Sequence, residues 1–471
     1  SALLERTSMN PSNRSVNPTL PGIPAPGASC CEMAHEKGIL RLDPAPLRGR
    51  GHSFGGDSKV RFSRIVSLCA ASLIALLPTH VMAQQLPSET DQQASVSVRD
   101  REREEFSPLG VHLGGFDLNG AVDFGIASTD NLFAAEAGDP AEVDDIIYTV
   151  APNARLTSNW SRHMAQVDGG AEWRMHDEFS NEDSDDWYLR AAGRVDVGDS
   201  TAINGSARAS HETTPRTDPD SPLVGQPVEY DRNTMSLGVS QRFARMRVSL
   251  DAVQDEYDYD NTQNFRDNDE TGIRGRLEAE LSPRLGLLLR AQTDERDYDN
   301  TPNLNSEGQS ILAGVTLNTD LMRGEIAVGQ FERDYDDPSV GTFDGVAIAG
   351  SLEWYVSQLT TLTFTARQDA DDQISATAGL PFISTQYGAR IDHELRRNII
   401  LTAGARFGER DYDAVDRNDE FRAYEVGADY LLNRRVALRA RYNYDESESD
   451  GALAGRDYEA NRLSLGLSLR L

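Results

Sequence analysis

The stretch Leu463-Ser-Leu-Gly-Leu-Ser-Leu-Arg-Leu471 sets an apolar residue at every odd position and a small or polar one at every even position. A period of two describes a strand with one apolar face and one wet face. Working back from it, Thr271–Leu281 puts Ile273, Leu277, Ala279 and Leu281 on one side. Arg274, Arg276, Glu278 and Glu280 fall on the other. Met235–Phe243 repeats the division, with Met235, Leu237, Val239 and Phe243 against Ser236, Gly238, Ser240 and Arg242. A soluble sandwich seldom carries this alternation over so many strands. A closed antiparallel barrel in lipid explains it, with the apolar side toward acyl chains and the polar side toward water. The pattern predicts an all-β, up-and-down transmembrane barrel of about eighteen strands (16–18) over 112–471.

The chain has 471 residues, 38% hydrophobic and 7% aromatic, with a formal net charge of -30. Such values look soluble and acidic, because each barrel strand shows only about five residues to lipid. The acidity argues against nucleic acid as a partner. No lysine follows Lys59, so arginine supplies the basic groups of the barrel.

Cys30, Cys31 and Cys69 all precede the barrel, which leaves it no disulfide or thiolate metal site. Val66–Leu77 is a short apolar core behind Lys59, Arg61 and Arg64, and Val81 and Ala83 stand where a signal peptidase reads small residues. This predicts a signal peptide over 59–83, cut after Ala83. Residues 1–58 are rich in Pro, Gly and Ser. They read as a disordered extension or, preferably, as a gene start placed too early, with Val60 as the alternative start and Met33 the weaker one. Residues 84–111 are polar and charged, and are expected to form a disordered periplasmic lead-in.

Short turns alternate with longer acidic loops along 112–471. An even strand count would put both termini in the periplasm of a Gram-negative bacterium. Glu-Arg-Asp-Tyr-Asp recurs at Glu295–Asp299, Glu332–Asp336 and Glu409–Asp413, where up-strands leave for outer loops. The wet faces supply candidate pore-lining residues. They are Arg274, Arg276, Arg290, Arg390, Arg406, Arg439 and Arg441, with the acids Glu278, Glu280, Asp392 and Glu425. Arg155, Arg190, Arg208, Asp168, Glu394 and Asp429 share that side. So many charges need water or mutual pairing. An inward-folded loop is one way to narrow such a pore, and the longest candidate is Thr213–Glu229.

Arg99-Asp-Arg-Glu-Arg-Glu-Glu-Phe-Ser-Pro-Leu-Gly110, Leu113-Gly-Gly-Phe116, Ser128-Thr-Asp-Asn-Leu-Phe133, Ser158-Asn-Trp-Ser-Arg-His163 and the repeated Arg-Asp-Tyr-Asp strand ends form a recognisable set. Together they resemble the bacterial outer-membrane family called putative beta-barrel porin 2. The resemblance implies an outer-membrane barrel, and some members accompany exopolysaccharide export genes. It brings no catalytic or ligand motif. The chain departs from the usual barrel-assembly signal by ending in Leu471 rather than Phe or Trp.

The expected function is an aqueous porin-like channel, with export of an anionic exopolysaccharide as its specific form. The alternative is a structural or surface barrel without transport. A barrel hydrolase is a minor alternative, for which Ser210-His211 near Asp218 and Asp220 is the one arrangement that could be forced. No enzyme activity, cofactor or metal is expected. Asp258, Asp260 and Asn261, or Asp297, Asp299 and Asn300, lack the later Glu and glycine turn of a calcium loop. Expected partners are outer-membrane lipid and lipopolysaccharide, the barrel-assembly machinery and polysaccharide export components. Arg296, Arg333 and Arg410 could meet lipopolysaccharide phosphates or pair with neighbouring acids, and alternation favours pairing for Arg296 and Arg410.

Overall fold

The computed structural model describes residues 96–218, 221, 225–260, 263–374, 379–412 and 415–471. All lie within one compact unit, Ser63–Leu471. The expected extension (1–58) and signal peptide (59–83) fall outside the described residues.

Among the described residues, nineteen strands form one sheet. The first, Val111–Leu113, is a three-residue flap paired to the start of the next strand. Gly114 makes that turn at φ +67°, a conformation that side-chain-bearing residues adopt at a cost. The other strands run from Phe116–Thr129 to Tyr458–Arg470, each antiparallel to its chain neighbours. The ring closes where Arg462–Arg470 pairs with Ala121–Thr129. Closure satisfies the backbone groups that an open edge would expose to lipid. The result is the closed eighteen-strand barrel that the alternation predicts, once the flap is set aside.

Even a short strand such as Met164–His176, with 13 residues, is long enough. At about 3.3 Å per residue and a tilt of about 40° it rises about 33 Å, past an apolar band of about 25 Å. The outer face is the apolar one: Met235, Leu237, Leu463 and Leu465 are 62%, 63%, 55% and 55% exposed. Several exposed aromatics lie toward the strand ends, Trp160, Phe243, Trp354 and Tyr430 near the short turns and Tyr148, Trp173 and Trp187 near the loops, while Tyr387, Tyr424 and Tyr442 stand mid-strand. The groups at the strand ends fit the two interfaces of a bilayer.

Short turns gather at one end and long loops at the other. The chain enters at the turn end, where the Gly110 amide donates to the Leu471 carbonyl.

One hairpin leaves the wall. Strand Thr342–Ser357 pairs with Thr360–Ile374 only as far up as Ile348 and Gln368. Above that level Ala370 and Ile383 turn into the barrel. There they pack on Leu288, Leu312, Ala327, Phe331 and Ala347, the inward side chains of strands Leu285–Tyr298, Ser306–Asn318, Met322–Tyr335 and Thr342–Ser357. The local sequence favours the bend. Leu380-Pro-Phe-Ile383 breaks the polar alternation, and Pro381 and Phe382, which point to opposite faces, are both buried. The described part of the Thr213–Glu229 loop, expected as the inward candidate, crosses the loop end: Arg216 pairs with Glu182, and the Tyr458 hydroxyl donates to the Thr217 carbonyl from a strand that is not a neighbour.

Candidate functional site: the lumen of the barrel

At the turn end, the lead-in expected to be disordered is held from residue 97 onward. The Val98 amide donates to Thr361 Oγ1 at 3.0 Å, and Val98 is fully buried. Arg99 Nε meets Asp392 Oδ1 at 2.7 Å, and Arg99 also reaches Asp429 at 3.4 Å and Thr402 at 2.5 Å. Arg103 and Arg101 meet Glu394 at 2.9 and 3.6 Å. The same guanidiniums that make 84–111 look soluble complete the charge balance of strands Thr360–Ile374, Gly379–Arg396, Ile399–Asp411 and Asn418–Leu431. Without the lead-in Glu394 would lose the arginines that meet it, and Asp392 and Asp429 would keep Arg390 and Arg441 alone as close partners.

The candidate pore-lining residues face inward, and most are paired. Arg276 meets Glu325 at 2.6 Å, and Arg290 and Glu278 join the same network. Arg390 meets Asp392 at 3.1 Å. Arg439 meets Asp123 at 3.1 Å, and Arg441 meets Asp429 at 2.7 Å and Glu425 at 3.4 Å. Arg274 donates to Gln292 at 3.2 Å. Arg406 makes no side-chain ion pair or hydrogen bond among the described residues, and neither does Glu280. Water reaches this zone: the Arg367, Arg439 and Glu425 side chains keep 50%, 46% and 39% of their exposure.

At the loop end the repeated motif builds a packed layer instead of a wet rim. Arg and Tyr stand two apart, so both point inward. Arg296, Arg333 and Arg410 are 2%, 6% and 2% exposed, and Tyr298, Tyr335 and Tyr412 are 6%, 7% and 1% exposed. Arg296 meets Glu270 at 3.2 Å and Asp371 of the inward hairpin at 3.8 Å. Arg333 pairs with Asp294 and donates to Ser306 at 3.0 Å. Arg410 lies over the Phe382 ring at 4.9 Å. These side chains face the interior and pack it, as alternation favours for Arg296 and Arg410.

A different arrangement lines strands Asp145–Ser158, Met164–His176, Ser184–Val197 and Thr201–Thr214. Their register sets Asn119, Arg155, Asp168, Arg190 and Arg208 side by side across successive strands. Asp168 accepts from Gln166 Nε2 at 2.5 Å, and Arg208 meets Glu212 at 3.1 Å while lying over Tyr188 at 5.2 Å. Arg155 and Arg190 make no side-chain ion pair or hydrogen bond among the described residues. Beyond Thr234 the row reaches Asp255 and Glu270, whose charges Arg232 and Arg296 already meet at 2.7 and 3.2 Å. The uncompensated charge of this row is therefore positive.

Ser210 and His211 are chain neighbours on a strand and so face opposite sides. Ser210 donates to Glu212 at 2.8 Å, and His211 meets Asp231 at 2.8 Å. No hydroxyl–imidazole contact joins them. The described residues contain no cluster of ligand side chains suited to a metal ion.

A family model described as putative beta-barrel porin 2 matches residues 104–471. No curated protein matches the chain. Among solved structures, Pseudomonas aeruginosa OccK2 (OpdF) is 12% identical with a TM-score of 0.45, over 75% of this chain and 98% of that one. Pseudomonas aeruginosa OccK9 (OpdG) is 13% identical with a TM-score of 0.43, over 76% and 98%. Acinetobacter baumannii OccAB3 is 11% identical with a TM-score of 0.41, over 76% and 100%.

Proposed function

Because this chain belongs to the outer-membrane porin family called putative beta-barrel porin 2, we propose that its barrel is an aqueous channel for an anionic saccharide, with both termini in the periplasm. The supporting observation is the wet middle of the lumen. Arg367 and Glu425 keep 50% and 39% of their side-chain exposure, inside a wall whose outer face is apolar. Charges in that setting need water, and eighteen strands leave room for it. An outward-moving anion would meet guanidiniums in mid-lumen and then the acidic loops, whose repulsion favours release. Swelling of proteoliposomes tests the reading. Entry of galacturonate faster than of a neutral sugar of equal size supports it, and no swelling in either sugar refutes it.

The structural reading without transport draws on the packed ends of the barrel, with Arg296 and Val98 2% and 0% exposed. It predicts an intact, heat-modifiable barrel that carries no current.

A further inference from the structure

We propose that Arg155 and Arg190 form a carboxylate-binding station for an acidic oligosaccharide on the lumen wall, with the amides of Asn119 and Asn153 serving its hydroxyls. This rests on the channel reading above and gives its ligand a place. Arg155 stands between Asn119 and Asp168 in the register, and Arg190 stands beyond Asp168. Asn153 precedes Arg155 by two positions on the same inward face. Arg155, Asn119 and Asn153 are exposed and Arg190 is half-buried.

Three features separate this pair from the other lumen arginines. First, Arg276, Arg290, Arg390, Arg439 and Arg441 each meet a carboxylate, whereas Arg155 and Arg190 make no side-chain ion pair or hydrogen bond among the described residues. A guanidinium fork matches a carboxylate through two parallel bonds, which a neutral hydroxyl cannot reproduce. Second, two strand spacings of about 4.8 Å put the roots of the pair about 10 Å apart. That span suits acidic groups on alternate sugars of a chain. Third, Asp168 lies between them. Its carboxylate limits how tightly an anion is held, and conduction needs sites that are entered readily and also left. Arg406 likewise makes no side-chain ion pair or hydrogen bond among the described residues, but it feels the Asp445 charge and stands with no second arginine in its row, where Gly388 and Ala423 flank it. It offers one fork and no spacing.

The probe is an oligogalacturonate of defined length, with a maltooligosaccharide as the neutral control and a short polyphosphate as the polyanion without sugar. With the full protein in a planar bilayer, oligogalacturonate is expected to interrupt the current in discrete events, and the maltooligosaccharide is not. R155Q/R190Q should weaken the block at least tenfold, and R155E/R190E should also shift the reversal potential toward cations. Arg284→Gln, on an exposed turn, should stay within twofold of the wild type. Polyphosphate blocking as strongly as oligogalacturonate would overturn the assignment to a sugar. An unchanged block in both double variants would overturn the station itself. Should the wild type carry no current, the channel reading falls, and anisotropy of a fluorescent oligogalacturonate on detergent-solubilised protein decides the station separately. Binding tenfold weaker in R155Q/R190Q upholds it, and equal binding removes it. The heat-modifiable gel shift verifies that every variant is folded.

Discussion

Two stretches of the lumen wall obey the same alternation and end in opposite electrostatic states. On strands Gly379–Arg396 and Asn418–Leu431, the inward acids Asp392, Glu394 and Asp429 are sheltered, and Arg99, Arg101 and Arg103 of the lead-in close over them. On strands Asp145–Ser158 and Ser184–Val197, Arg155 and Arg190 face the interior with one carboxylate between them. The first wall is neutralised from a distant part of the chain, and the second is left for something that is not part of the chain. Charge on an inward face therefore does not by itself mark a pore. What matters is whether the protein has already supplied the counter-charge.

The largest effect is expected from breaking the neutralised wall. R99A/R103A takes the shorter of its two contacts from Glu394, and takes the lead-in contacts from Asp392 and Asp429, which keep Arg390 and Arg441. Breaking buried pairs costs about 3–5 kcal/mol, and the remaining partners hold the loss toward the lower end. The urea midpoint of the refolded barrel should fall accordingly, and single-channel conductance should rise as 96–104 loosens. Stability and conductance both unchanged would mean that the lead-in docks without holding anything. Next comes the hairpin. Phe382→Ala removes a ring that packs on Tyr412 at 5.1 Å and carries Arg410 at 4.9 Å. The cost should approach about 3 kcal/mol, with a wider pore as the second readout. A smaller change is expected in mid-lumen. Arg290→Gln leaves Glu325 its bond to Arg276 at 2.6 Å, so the loss should stay near about 1 kcal/mol. The smallest effect lies in a loop. Burial raises the Asp267 carboxyl above its usual range, with the Tyr259 amide opposing and Asp258 and Asp299 adding to the rise. Asp267→Asn keeps an acceptor for that amide, so at neutral pH it should stabilise the barrel by less than about 1 kcal/mol. A raised carboxyl costs stability when ionised. The advantage should therefore shrink as pH falls through the raised pKa and Asp267 takes up its proton. An advantage that grows at low pH would contradict this.

The barrel was legible because its signal is local. Leu463–Leu471 shows the period by itself, and short turns such as Ser282–Arg284 and Ser357–Leu359 alternate with long loops along the sequence. The inward direction of the candidate pore residues follows from the same period. Their partners do not. Arg99 and Asp392 are 293 residues apart, and no local pattern announces such a pair. The inward hairpin left one trace, the unbroken apolar run at Leu380–Ile383, which departs from alternation without saying where the segment goes. The Arg-Asp-Tyr-Asp repeat was visible as a repeat. Its burial was not, because the neighbours that cover Arg296, Glu270 and Asp371, come from other strands. The row of Arg155, Asp168 and Arg190 needs the register as well, since a shift of one residue would turn each side chain to lipid.

The central claim is that water and charge run through the middle of a barrel whose ends are partly filled by its own chain. Single-channel recording of the wild-type protein in a planar bilayer, under a potassium chloride gradient, tests it most directly. The account predicts discrete conductance steps with a reversal potential favouring chloride. A stably inserted, heat-modifiable barrel that passes no current, or one that prefers potassium, would contradict it.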